Sequence, residues 1–148
     1  MAATAWLFDN FPHALFHGLH TDIQSTAVLK CMLLTAVPAQ SSTIKADIVA
    51  DEHANSGNYT TGGATIASKT ATLSSHTTSF GWANVTWSAA TISAKAAVIY
   101  DDTSAADNLI MCINLNGGAS VSSTSGDFTI SWTAVSNVAF TSVVATAS

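Results

Sequence analysis

Apolar residues recur along this chain with two different periods. Over residues 5–20 the spacing is three to four: Trp6, Phe8, Phe11, Leu15, Phe16 and Leu19 fall on one side of a helical wheel. Asp9 or Asn10 is placed to cap such a helix, with Pro12 in its first turn and Gly18 close to its end. A lone helix of about ten residues is marginal in water, so this one is expected to dock on something. Beyond residue 25 the period falls to two.

Residues 26–35 are a near-continuous apolar run, expected as a strand buried on both faces. Residues 44–49 read as a short strand or a single helical turn. Residues 64–73 alternate loosely, and residues 78–80 and 84–87 are short strand-like pieces. Over residues 91–100, Ile92, Ala94, Ala96, Val98 and Tyr100 share one face of a single strand. Leu109, Met111, Ile113 and Leu115 alternate with Ile110, Cys112 and Asn114. Phe128, Ile130 and Trp132 alternate with Asp127, Thr129, Ser131 and Thr133, and residues 138–144 add a last strand. Residues 38–43, 51–63, 101–108 and 116–126 carry turn signals. About eight short strands at this spacing predict a mainly β chain. The expected architecture is one domain over residues 1–148, an antiparallel β-sandwich or jelly-roll-like fold. Residues 1–20 form a short N-terminal helical arm in this reading.

Composition narrows the function classes. Only 9% of residues are charged, against about 25% in an average soluble domain. There is no Arg, the four Lys are Lys30, Lys45, Lys69 and Lys95, and net charge is -5. Without a basic cluster, nucleic acid is not an expected partner. Ser and Thr make up about a quarter of the chain. Such a surface suits either a large shared interface, where central charges are costly, or a monomer coated in hydroxyls. The longest apolar run, residues 27–36, contains Lys30 and Thr35 and is far shorter than the roughly 20 residues of a membrane span. Asp9, Pro12 and His13 interrupt the first apolar stretch, which no Lys or Arg precedes, so no secretory signal is expected. Cys31 and Cys112 sit in apolar strand-like runs and are expected as free buried thiols.

The chemistry-bearing residues form no strong motif. His13 and His17 stand at i and i+4, a spacing that holds zinc when a third ligand is present, but Gly18 separates them from His20. Asp47, Asp51 and Glu52, and further on Asp101, Asp102 and Asp107, are carboxylates of the kind that bind calcium, without an EF-hand spacing. No Gly-x-Ser-x-Gly elbow accompanies the many serines, and no Lys follows Gly62-Gly63 as a phosphate loop requires. Trp82 and Trp87, with Phe80, are either a sugar-stacking set or one ring in the core and one at an interface. No catalytic residue, cofactor or metal site is expected.

Read in order, several runs resemble a family of small tailed-bacteriophage proteins. They are the strand Ala27-Val28-Leu29-Lys30-Cys31-Met32-Leu33-Leu34-Thr35, the pair Asp51-Glu52, and Tyr59-Thr60-Thr61-Gly62-Gly63-Ala64-Thr65-Ile66. Then come Val85-Thr86-Trp87, Ala97-Val98-Ile99-Tyr100-Asp101, Leu109-Ile110, and Gly126-Asp127-Phe128-Thr129-Ile130-Ser131-Trp132. Asn58 stands between Gly57 and Tyr59, where the family places Gly directly before Tyr. The resemblance covers roughly residues 6–135.

It implies a virion structural protein without catalytic residues, made in the host cytoplasm and located on the particle. The leading expectation is a capsid decoration (cement) protein that binds between major capsid protein subunits, as a homo-oligomer, a trimer. The alternative is a tail, neck or host-attachment component that binds glycan through Trp82 and Trp87. A cellular carbohydrate-binding module is a third class. Candidate interface residues are Trp6, Phe8, Phe11, Phe16, Tyr59 and Trp82, with the N-terminal helix and the loop at residues 50–63 as the first surfaces to inspect.

Overall fold

The computed structural model describes residues 3–20, 22–74 and 77–131. It is mainly β and antiparallel, with a short N-terminal helix. The elements are β1 (Thr4–Leu7), α1 (Asn10–Phe16), β2 (Leu29–Leu34), β3 (Ala64–Thr65), β4 (Thr70–Ser74), β5 (Thr77–Gly81), β6 (Val85–Ala94), β7 (Ala96–Asp101), β8 (Leu109–Asn114) and β9 (Val121–Ile130). Two 3-10 turns, Lys45–Asp47 and Val49–Asp51, lie between β2 and β3, where the sequence left a short strand or helical turn open.

Five strands form one sheet in the order β1-β8-β7-β2-β3. The β6–β9 pair is a long two-stranded ribbon, and β4–β5 is a hairpin. The ribbon packs over one face of the sheet. There Leu29, Cys31, Leu33, Ala97, Ile99, Met111 and Ile113 share a core with Val85, Trp87, Ile92, Phe128 and Ile130. The opposite face carries Met32, Leu34, Val98, Tyr100 and Cys112, covered by Phe8 and Ile48. The result is sandwich-like, with a central sheet buried on both sides. That double burial is why β2, β7 and β8 read as continuous apolar runs.

The cysteines follow from the same arrangement. Both are free, and Cys31 faces the ribbon while Cys112 belongs to the core on the other side of the sheet. Burial pushes the Cys31 thiol far up and the Cys112 thiol up to about 12.

Three expectations need correction. The N-terminal residues are not a helical arm. Residues 4–7 are a strand, with Thr4 opposite Asn114 and Leu7 opposite Met111 on β8. The helix is confined to Asn10–Phe16. The apolar pattern is split between the two sides of the sheet: Phe8 enters one core and Phe11 the other. No single helical face can do that, so the segment wraps the sheet edge instead. The helix stops where the sequence placed Gly18. That residue has φ +66, and a Schellman closure forms, with Leu19 N–H on the Ala14 carbonyl at 2.9 Å and Gly18 N–H on the Leu15 carbonyl at 3.1 Å.

The expected single strand over residues 91–100 is two strands in different layers. The break is at Lys95, whose N–H bonds the Leu34 carbonyl at 2.8 Å and whose carbonyl accepts from Leu115 N–H at 3.0 Å. Ile92 and Ala94 stay with the ribbon core, while Ala96, Val98 and Tyr100 face the other side of the sheet.

The expected turn over residues 116–126 is shorter, because β9 already starts at Val121. Residues 122–125 are all Ser or Thr, and pairing with β6 rather than apolar alternation makes them strand. Register shifts interrupt that pairing between Trp87 and Ile92, next to Ala89 at φ +50. Trp132 and the expected last strand at residues 138–144 lie outside the described residues.

Candidate interaction surface

The loop at residues 50–63 is fastened from below. Glu52 Oε1 accepts the Tyr59 hydroxyl at 3.0 Å and the Gly62 N–H at 2.5 Å. The Tyr59 oxygen also accepts the Leu33 N–H at 3.0 Å, and the Tyr100 hydroxyl donates to the Gly62 carbonyl at 2.7 Å. Burial, with the nearby carboxylates adding to it, holds both phenols above their ordinary range. Gly63 has φ +75, and a Cβ there would collide with the Cys31 carbonyl. The close approach lets Ala64 and Thr65 pair with Cys31 and Lys30 as β3.

The same loop is laced along the free side of β6. His53 Nε2 accepts the Ser93 N–H at 3.2 Å, so its Nδ1 carries the proton and donates to the Ala54 carbonyl at 2.7 Å. Ser56 Oγ donates to the Thr91 carbonyl at 2.7 Å, and Asn58 Nδ2 reaches Ser88 Oγ at 3.3 Å. This loop is therefore part of the scaffold rather than a projecting contact loop.

The candidate aromatics divide sharply. Phe8, Phe11 and Tyr59 are at most 2% exposed and face this chain's own cores. They are corrected from interface to core residues, since a side chain with no accessible surface cannot touch another subunit. Trp6 and Trp82 are half-buried and pack against the two cores. Trp87 is buried against Tyr59 and Phe128, so Trp82 and Trp87 do not form a paired sugar platform. Phe16 alone among the candidates stands out, at 92% exposure.

Phe16 lies on the last turn of α1 between His13 and His17, at i+3 and i+4 from His13, so the three share one helix face. The two imidazoles stack with ring centroids 4.1 Å apart. His20 is not with them. It is buried, with Nδ1 2.8 Å from Asp101 Oδ2 and its ring edge-on to Phe11. Among the described residues no group of three His, Cys, Asp or Glu is placed to hold a metal ion.

The candidate calcium carboxylates are engaged with local structure. Asp47 Oδ2 accepts the Thr43 N–H at 2.8 Å and the Ile44 N–H at 3.2 Å, and these backbone bonds lower its pKa. Asp102 pairs with Lys30 at 2.9 Å, and Asp107 with Lys45 at 3.6 Å. No helix among the described residues is long and apolar enough to cross a membrane.

The other broad surface is the outer face of the ribbon. Thr86, Ser88, Thr91 and Ser93 of β6 are exposed there, beside Ser122 and Thr129 of β9. Hydroxyls pair across the strands, Thr86 with Thr129 at 2.9 Å and Ser122 with Ser93 at 3.1 Å. Asp127 is the one charged residue in either strand.

No protein-family model matches this chain, and no curated protein or solved structure matches it. The Glu52–Tyr59–Gly62 link escaped sequence reasoning, which grouped Glu52 with carboxylates of the kind that bind calcium and took Tyr59 as a contact. The available signal was one carboxylate and one phenol inside an otherwise small-residue loop.

Proposed function

We propose that this chain is a structural component of a tailed-bacteriophage virion, and that it acts as a capsid decoration protein. In this reading it binds between major capsid protein subunits as a homo-oligomer, a trimer, and stabilises the head. The observation that carries the reading is the pairing of an isolated, 92% exposed Phe16 with a broad hydroxyl face that holds one charge. An exposed aromatic anchor on α1, together with a face of small hydroxyl side chains on β6 and β9, suits contacts repeated many times over a shell, where modest single affinities multiply by avidity.

The family resemblance supports the same reading. The residues that carry it, Glu52, Tyr59, Gly62, Gly63 and Tyr100, are those that interlock the loop with the central sheet. The likeness therefore concerns the scaffold.

Copy number in intact particles, counted by mass spectrometry or imaging, tests the proposal. Hundreds of copies per head, lost with Phe16→Ser, are expected. A dozen or fewer copies would assign the protein to the tail, neck or host-attachment apparatus instead.

A further inference from the structure

His13 and His17 stand one helical turn apart on α1, and the backbone itself fixes that spacing. The His17 N–H bonds the His13 carbonyl at 3.0 Å. His17 is the C-cap, with φ -87 and ψ 1, so it stays close to the last helical turn. The helix beneath is held in place. Phe11 and Ala14 are buried on its inner side, and the closure at Gly18 keeps its end from fraying.

Both imidazoles are exposed, so an ion can reach them with part of its water shell. Neither ring forms a hydrogen bond or ion pair among the described residues, which leaves their nitrogens available. The rings stack at 28°, with centroids 4.1 Å apart. Two nitrogens, each about 2.0–2.1 Å from a tetrahedral ion, lie roughly 3.3–3.4 Å from one another. The stacked rings are already near that spacing. Among the described residues no third His, Cys, Asp or Glu joins them. The arrangement is therefore a two-point chelate, with the other coordination positions left to water.

We propose that His13 and His17 together bind one divalent transition-metal ion on the exposed face of α1. Ligand type decides the class of ion: imidazole suits nickel, copper and zinc, whereas calcium and magnesium take oxygen ligands. Once one ring holds the ion, the helix delivers the second nitrogen at high effective concentration. A net charge of -5 on the chain favours the approach of a cation. The site stands on its own geometry and does not depend on a role in a virion.

Calorimetric titration of the full, untagged chain with nickel chloride, near neutral pH, tests this beside His13→Gln and His17→Gln. One ion per chain is expected, with affinity at least about tenfold lower in either variant. Nickel is also expected to raise the melting temperature of the native chain and not that of the variants, because the i, i+4 spacing exists only in the folded helix. Melting temperatures without metal that match the native chain show that both variants are folded. Paramagnetic broadening of amide signals by nickel should centre on residues 13–17. Equal affinity in all three proteins overturns the proposal, and so does broadening centred on His53 or on the chain's amino terminus.

Discussion

Tyr59 and Phe16 are both candidate contact aromatics in the sequence, yet their exposures lie at opposite extremes. Tyr59 is 1% exposed, with its ring between His53 and Trp87 and its hydroxyl shared by Glu52 and Leu33. Phe16 is 92% exposed, with stacked histidines beside it. The difference lies in what the neighbouring backbone offers. Around Tyr59, a hairpin-like bridge from Ser56 to Tyr59 and the close approach at Gly63 fold the loop back onto the sheet. Phe16 is the last residue of its helix and Gly18 turns the chain away, so the ring is left standing in solvent. One aromatic holds the scaffold together, and the other is free to meet a partner.

Substitutions break this contrast in graded fashion. The largest loss is expected at Gly63→Ala, which combines positive φ with a backbone collision, and a destabilisation of about 3 kcal/mol or more should appear in urea unfolding. Tyr59→Phe keeps the ring and removes the hydroxyl, leaving the buried Leu33 N–H without its side-chain acceptor. A loss of about 1–3 kcal/mol is expected in the same measurement.

Asp47→Asn should lower stability slightly near neutral pH and leave it unchanged at low pH, where the native carboxyl is protonated too. The folded state lowers the Asp47 pKa through the Thr43 and Ile44 N–H groups, so its contribution is present above the unfolded value and fades as pH falls through the folded one. The variant should show a shallower loss of stability on the acid side, in thermal melts between about pH 5 and pH 2. Phe16→Ser should change stability least, by about 0.5 kcal/mol or less, while removing association with particles. A large stability loss at Phe16 would erase the distinction between the two aromatics.

The alternation of apolar residues made the β class, β8 and the core stripe Phe128–Ile130 legible. The run of residues 26–35 announced a doubly buried β2. What the pattern hid were places where one periodicity serves two cores. Trp6, Phe8 and Phe11 mimic a helix because the chain crosses the sheet edge among them. Ile92 to Tyr100 mimics one strand because alternation continues through the layer change at Lys95. The contact surface was partly legible. Phe16 stood in the candidate set, but a list of aromatics cannot separate a side chain with a packing partner from one without. The hydroxyl ladder on β6 and β9 was invisible because half of β9 lacks apolar alternation.

The pairing of β1 with β8 has a consequence for how the chain is made. Thr4 pairs across from Asn114, so β1 leaves the ribosome well before its partner strand β8. At ordinary synthesis rates that interval is on the order of ten seconds, during which Trp6, Phe8 and Phe11 have no sheet to cover. Folding of such a long-range pair is slow relative to local hairpins such as β4–β5. Trp6, Phe8 and Phe11 thus stay without their native cover until β8 has been made, which is a delay set by topology rather than by local sequence.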